Sequence, residues 1–215
     1  MEVKVELENV RPVDIEKRSF EIITRELGER KLPKDQELII KRCIHTSADF
    51  DYADNLCFSD GVVKKAMDAL KHGANIVTDT QMARAGINKR SLKRLGGEVY
   101  CFMSDEDVAV KAKELDVTRA HVSMEKAACL EGSLIFAIGN APTALVRLYE
   151  LIEEGRIHPE LVIGVPVGFV NVVQSKELIM KADTPYIVAR GRKGGSNIAA
   201  CIVNALLYQI SNDRS

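Results

Sequence analysis

The sequence predicts an α/β fold, a three-layer α/β/α sandwich around a five-stranded parallel sheet. From residue 74 onward, short apolar runs rich in Ile and Val alternate with helical patterns. The runs are continuous rather than mixed with polar residues, which is typical of strands that helices cover on both faces. In such sheets ligands bind where the strands end, so a ligand site is expected at that edge.

Helical segments precede the predicted sheet. In RSFEIITREL the apolar residues recur at helical spacing, which predicts an amphipathic helix. LPKDQELIIKRCIH follows this spacing only moderately, so a strand remains an alternative there. The segment TSADFDYADNLCFSD is acidic and predicted as turns, and the helical pattern GVVKKAMDALKHG after it ends at a glycine.

Five strands are predicted in the remainder of the chain, each with a helical pattern after it. In chain order they are ANIVTDT, GEVYCFM, SLIFAIG, ELVIGV and PYIVAR. Five strands favour the flavodoxin-like order 2-1-3-4-5 over the six-stranded dinucleotide-binding arrangement. We therefore expect residues 1–215 to form one domain, with the N-terminal helical segments beside the sheet.

The composition excludes several classes of function. The 215 residues carry 30 basic and 31 acidic side chains, and a net charge of −1 gives no overall field for nucleic acid or an anionic membrane. Five scattered cysteines without a C-x-x-C pair indicate reduced thiols. The N-terminus is too charged for a signal peptide, and no apolar run approaches the roughly 20 residues of a membrane span. We expect a soluble, cytoplasmic protein without nucleic-acid or membrane partners.

Familiar cofactor and hydrolase motifs are missing. GRKGGS lacks the spacing and the lysine of a P-loop, and no G-x-G-x-x-G follows a strand. The nucleophile motif G-x-S-x-G is absent, and the four histidines lack metal-binding spacing. The sequence thus predicts no metal site and no cofactor. The groups that remain to form a ligand site are backbone N–H groups, basic side chains and an imidazole.

Glycine-bearing segments follow three of the predicted strands and indicate where that site lies. Helix N-termini after Gly139, Gly168 and Gly195 offer N–H groups that suit an anionic ligand. Among the histidines, His45 stands out because two cations precede it within one turn. On the residues alone, an ordinary hydrogen-bonded role for His45 and solvent-exposed roles for the basic side chains remain alternatives.

Seven segments occur in an order that is typical of one enzyme family. They are RSFEII, RCIH, IVTDTQM, Thr118-Arg119, IGNAPTAL, GVPVGFV and ARGRKGGS. The last three are specific, because no nucleotide-binding fold combines these loops in this order. Together the segments resemble the precorrin-8X methylmutase family, which includes the cobalt-precorrin-8 methylmutases of corrin biosynthesis. The resemblance covers nearly the whole chain, and no loop contacts are carried over at residues 46–56 and 121–131.

The resemblance implies a homodimeric isomerase with a flavodoxin-like fold. It would move a methyl group from C-11 to C-12 of precorrin-8, giving hydrogenobyrinate, or of cobalt-precorrin-8, giving cobyrinate. Cobalt, where present, would arrive with the substrate, and the sequence does not distinguish the two substrates. A corrinoid carrier that binds without catalysis is the alternative, because it would use the same cleft.

The resemblance also implies which residues do the work. It places the catalytic histidine at His45 and substrate-contacting residues at Ser19, Arg42 and Arg119. A precorrin carries many carboxylate arms on an apolar ring, so it needs scattered donors and cations rather than one phosphate cradle. We expect further contacts from the residues of the glycine-bearing loops, which are Gly139, Asn140, Gly168, Gly194 and Gly195.

The mechanistic hypothesis is that protonated His45 donates to a ring nitrogen near the migrating methyl group. Its protonation state stays open on the sequence. Ligand carboxylates and the end of a helix favour the imidazolium, whereas Arg42 opposes it.

Overall fold

A computed structural model describes residues 8–211, which form one mixed sheet with helices on both faces. The sheet order is β1-β6-β5-β4-β2-β3. Strand β1 pairs antiparallel with β6, and all other neighbouring strands are parallel. The strands are β1 (Leu56–Phe58), β2 (Asn75–Thr78), β3 (Val99–Tyr100), β4 (Leu134–Ile138), β5 (Leu161–Gly164) and β6 (Tyr186–Ala189).

The prediction of a five-stranded, all-parallel, flavodoxin-like sheet of order 2-1-3-4-5 is wrong. A sixth strand, β1, lies within the acidic segment that was predicted as turns, and it pairs Leu56 with Ala189 and Phe58 with Ile187. Three residues are too few for apolar periodicity to indicate a strand. An antiparallel edge strand on an otherwise parallel sheet is a common arrangement.

Eleven helices are assigned within residues 8–211, after a 3-10 turn at Pro12–Asp14. The segment LPKDQELIIKRCIH contains α2, which settles its ambiguity in favour of a helix. The helices are α1 (Ile15–Leu27), α2 (Glu37–Ser47), α3 (Tyr52–Asn55), α4 (Val62–Lys71), α5 (Gln81–Gly86), α6 (Lys89–Arg94), α7 (Glu106–Glu114), α8 (Arg119–Ala127), α9 (Pro142–Glu153), α10 (Val172–Lys181) and α11 (Ser196–Ser211).

The sheet is buried on both faces, as its apolar strands predict. Successive side chains of a strand point to opposite faces, so each strand contributes to two separate cores. One core also contains side chains of α2, α4 and α11, and the other contains side chains of α8, α9 and α10. The strand residues of the first core include Ile76, Ile135, Ile163 and Ile187, and those of the second include Val77, Phe136, Val162 and Val188.

Helix α11 lies between the sheet and α2, and it determines where the end of α2 is placed. Near the start of α11, the Thr46 hydroxyl donates to the Cys201 sulfur at 3.2 Å. Further along, the guanidinium carbon of Arg42 lies 4.7 Å from the centre of the Tyr208 ring. The two helices therefore run antiparallel, and the C-terminal end of α2 lies beside the start of α11. Within residues 8–211, none of the helices combines the length and the apolar character needed to cross a membrane.

Candidate functional site

Three of the strand-end loops meet backbone to backbone. A Cβ atom at Gly139, directly after β4, would lie 2.6 Å from the Ser196 Cα atom. A Cβ atom at Gly194 would lie 2.0 Å from the Val165 carbonyl oxygen, and the Gly195 N–H donates to that oxygen at 2.8 Å. Backbone atoms cannot move aside cheaply, so glycine is required at both close approaches. The loops after β4, β5 and β6 thus form one continuous rim.

A buried carboxylate, Asp79, fixes the loop after β4. Its Oδ1 accepts the Gly139 N–H at 2.8 Å, and its Oδ2 accepts the N–H groups of Asn140 at 2.8 Å and Ala141 at 2.6 Å. Burial raises the pKa of Asp79, and the three N–H groups act in the opposite direction. Because the carboxylate sits at the N-terminus of α9, it also meets the positive end of the helix dipole. These N–H groups are therefore engaged by the protein itself, contrary to the expectation that they are free donors for a ligand.

The loop after β5 presents apolar surface at the rim. The N–H of Gly168 donates to the Arg192 carbonyl oxygen at 3.1 Å, so this glycine also uses its N–H within the protein. Its neighbours Val167, Phe169 and Val170 are 48%, 80% and 79% exposed. The Arg192 guanidinium carbon lies 5.3 Å from the centre of the Phe169 ring. This arrangement suits a flat apolar ligand with acidic substituents.

Arg119 lies beside the loop after β4. It is the first residue of α8 and is exposed, and it has no ion pair within residues 8–211. The preceding Thr118 accepts the His121 N–H at 3.2 Å and shares a hydrogen bond of 2.8 Å with Thr143 in the first turn of α9. Arg119 is therefore positioned to meet a carboxylate at this part of the rim.

His45 lies in the last turn of α2 with its side chain exposed. Its ring packs against Phe20 at 5.6 Å between centres and an interplanar angle of 58°. Neither ring nitrogen forms a hydrogen bond within the described part of the chain. Just after the helix, Asp49 and Asp51 each place a carboxylate oxygen 2.6 Å from Lys193 Nζ. Hydrogen bonds to the two carboxylates raise the pKa of Lys193, and the hydrogen bond from Lys193 lowers the pKa of Asp49. These ion pairs connect the end of α2 to the loop after β6.

Arg42 does not reach the rim as a free cation. It is 7% exposed, and its Nη2 donates to Glu16 at 2.7 Å. Its guanidinium carbon lies between two aromatic rings, 5.4 Å from the centre of Phe20 and 4.7 Å from that of Tyr208. The side chain expected to bind substrate is thus enclosed, and it supports the ring against which His45 packs.

Ser19 is half-buried in α1, one residue before Phe20. Its hydroxyl donates to the Ile15 carbonyl oxygen at 2.9 Å, so it would have to exchange this bond to reach a ligand. Across residues 8–211, no cluster of three or more His, Cys, Asp or Glu side chains is arranged to hold a metal ion.

Several contributors to the site went unrecognised in the sequence. Asp79 could have been identified as a site residue from its position directly after a buried strand. Phe20 looks like an ordinary core residue of an amphipathic helix. The pair Asp51–Lys193 spans 142 residues of sequence, so no local pattern could indicate it.

Known proteins match this chain over nearly all of its length. Residues 14–209 match the family model described as precorrin-8X methylmutase. A cobalt-precorrin-8 methylmutase of Priestia megaterium is 45% identical over 197 residues, which cover 92% of this chain and 88% of that protein. The cobalt-precorrin-8 methylmutase of Salmonella typhimurium is 46% identical over 205 residues, with 93% and 96% covered. A precorrin-8X methylmutase of Pseudomonas aeruginosa is 40% identical over 196 residues, with 89% and 93% covered.

A solved structure agrees with these matches. The precorrin-8x methyl mutase of Thermus thermophilus superposes with a TM-score of 0.84 at 36% identity, covering 93% of this chain and 98% of that one. Sequence and fold therefore lead to the same assignment, and this chain belongs to the precorrin-8X methylmutase family.

Proposed function

We propose that this chain moves a methyl group from C-11 to C-12 of precorrin-8 or cobalt-precorrin-8, giving hydrogenobyrinate or cobyrinate. The match of residues 14–209 to the family carries this proposal. The chain is an isomerase of corrin biosynthesis: the bond between the methyl group and C-11 breaks, and a bond to C-12 forms. Substrate and product have the same atoms and oxidation state.

We assign the proton-donating role to His45. Its exposed imidazole rests on Phe20, and both ring nitrogens are available to a ligand. A proton or strong hydrogen bond from the imidazolium to a macrocycle nitrogen would draw electron density from the neighbouring carbon and make it a better terminus for migration. The proton returns to His45 once the methyl group has moved. A positioned acid contributes about 10²–10⁴-fold, so holding the macrocycle in a reactive geometry must supply much of the remaining acceleration.

The substrate contacts follow from the rim. Arg119 and Arg192 are exposed cations that suit carboxylate arms, and Phe169 with its apolar neighbours suits the face of the macrocycle. Gly139 and Gly194 contribute by letting the loops approach one another, which shapes the floor of the site.

The assembly and the metal belong to the same proposal. We propose that the protein supplies no cofactor, that any cobalt arrives within the substrate, and that the enzyme acts in the cytoplasm, where its free thiols stay reduced. We further propose a homodimer, supported by two exposed apolar side chains, Val13 in the 3-10 turn before α1 and Ile15 at the start of α1, which are 83% and 52% exposed.

The test is to incubate the purified protein with metal-free precorrin-8 and, separately, with cobalt-precorrin-8, and to measure formation of each product by the change in the absorbance spectrum. We expect conversion of at least one substrate. We expect His45→Ala to lower kcat by about 10²–10⁴-fold. His158→Ala, which removes another exposed imidazole, is the matched control and should keep the parent rate.

Two outcomes would contradict the proposal. If the protein binds the corrinoid product tightly but converts neither substrate, the carrier alternative is correct. If His45→Ala keeps the parent rate, the acid role of His45 is wrong even though the isomerase assignment stands.

A further inference from the structure

A buried lysine lies beneath the loop that follows β6. Lys176 of α10 is 1% exposed. Its Nζ donates to the carbonyl oxygens of Gly191 at 2.8 Å and Lys193 at 2.9 Å. Lysine is almost never fully buried unless it is paired, and here the acceptors are backbone carbonyls rather than a carboxylate. The charge is therefore held in the interior by the backbone of one loop.

The carbonyl groups of three consecutive residues in this loop are all engaged. Lys176 donates to the carbonyl oxygens of Gly191 and Lys193. The carbonyl oxygen of Arg192, between these two residues, accepts the Gly168 N–H at 3.1 Å. The loop is thus fixed from α10 and from the loop after β5 at the same time. Bonds from a charged donor are roughly twice as strong as neutral ones, so the ammonium form matters to this arrangement.

We propose that the Lys176 ammonium is a positioning group for the methyl shift. It holds the loop of residues 191–195, and through the Lys193 side chain that loop holds the segment directly after His45. This inference rests on the proposed function, because positioning matters only if the rim binds the macrocycle. The role requires the charge of Lys176 and not merely its bulk.

No neighbouring charged group offsets the cost of burying the Lys176 ammonium group. Burial lowers the pKa of Lys176 to about 8, and no charged group contributes to that shift. Lys193 is turned toward Asp49 and Asp51, and Arg192 lies over Phe169. The remaining titratable groups on the elements packed against Lys176 are Glu177 and Lys181 on α10, Arg147, Tyr149, Glu150 and Glu153 on α9, Tyr186 on β6, and Arg190 on the loop.

Activity and stability should therefore respond differently to alkaline pH. As pH rises past about 8 the folded protein loses the Lys176 proton, whereas the unfolded chain keeps it up to the ordinary value of 10.5. Between these values the unfolded state binds more protons, so this group makes the folded state more stable as pH rises. A loss of activity over the same interval, with no loss of stability from this group, reports positioning rather than unfolding.

The experiment measures kcat and KM from pH 6.5 to 9.5 for the full chain and for three variants. We expect the parent kcat to fall with a midpoint at about pH 8. Lys176→Met should lower kcat by up to about 10²-fold and remove this alkaline limb, since a small misplacement of reacting groups can cost that much. Lys176→Arg keeps the charge and should move the limb to higher pH. Lys181→Met, an exposed lysine on the same helix, is the control and should retain the parent profile.

Hydrogen exchange gives a readout that does not depend on turnover. At pH 7 the amides of Gly168 and Gly195, which hold the loop in place, should exchange faster in Lys176→Met than in the parent and in Lys181→Met. If Lys176→Met does not fold, the shift of the alkaline limb in Lys176→Arg relative to the parent still decides the question. Parent-like kinetics and exchange in Lys176→Met, or an unchanged limb in Lys176→Arg, would overturn the inference. A parent protein that converts neither substrate would instead reject the proposed function, while exchange would still test the loop.

Discussion

Replacement of Arg42 by methionine tests whether this arginine binds substrate or supports the site from within. The resemblance implies a substrate contact, whereas the structure encloses the guanidinium between Phe20 and Tyr208 and pairs it with Glu16. Arg42→Met keeps an unbranched chain of similar width and removes the charge. The two interpretations predict different outcomes for stability and for binding.

The expected loss of stability follows from the contacts of the guanidinium. A hydrogen bond to a charged group contributes about 1.5–3 kcal/mol, and each of the two aromatic contacts contributes about 0.5–2 kcal/mol. Against this, Arg42 Nε is buried without a hydrogen-bond partner in the described residues, and methionine removes that cost. We expect a net loss of about 2–3 kcal/mol, which lowers Tm by roughly 4–12 °C for a domain of this size.

The assays are thermal unfolding, turnover and binding of the corrinoid product, with Arg90→Met as the control because Arg90 is exposed on α6. We expect Arg42→Met to lower Tm and kcat, since Phe20 no longer has its support beneath His45, while Kd for the product changes little. A variant with the parent Tm and a much weaker Kd would refute this reasoning and establish Arg42 as a substrate contact.

Two further predictions concern other charged groups. Asp79→Ala leaves three N–H groups without an acceptor at a cost of about 1–3 kcal/mol each, so denaturant unfolding should show a loss of at least about 3 kcal/mol, whereas exposed Asp183→Ala should show none. Hydrogen bonding to Arg156 lowers the pKa of Glu125 below its ordinary value of 4.5, so the stability it contributes is complete above that value and is lost as pH falls further. Glu125→Gln should flatten this acid limb in Tm measured between pH 3 and 6; an unchanged limb would assign it to other carboxylates.

The element content from residue 74 onward could be predicted because its determinants are local. Each strand is a continuous apolar run between turn residues, and each helix has its own periodicity. Strand β1 differs in this respect. It has three residues, and it exists because Cys57 and its neighbours pair with residues around Val188, far along the chain. No property of LCF alone distinguishes it from a turn.

The glycines of the rim show a second limit. Their positions after the strands were predicted, but a glycine indicates only that something comes close to the backbone. At Gly139 and Gly194 that neighbour is the protein's own chain, and at Gly139 the N–H is taken by Asp79. Sequence cannot distinguish a space kept for a ligand from one filled by another loop, because both require the same missing Cβ atom.

The same limit applies to the cations, because the sequence does not show which of them have acidic partners in the fold. A net charge of −1 gives no sign of an anion site, so recognition of carboxylate arms depends on which basic side chains remain without an acidic partner. Arg42 and Lys193 are paired with acidic groups, whereas Arg119 and Arg192 are exposed at the rim and have no ion pair within residues 8–211. Spacing along the chain does not separate these two groups, but the partners that the fold brings to each do. We therefore propose that Arg119 and Arg192 bind the carboxylate arms, and that the paired cations Arg42 and Lys193 hold elements of the fold together.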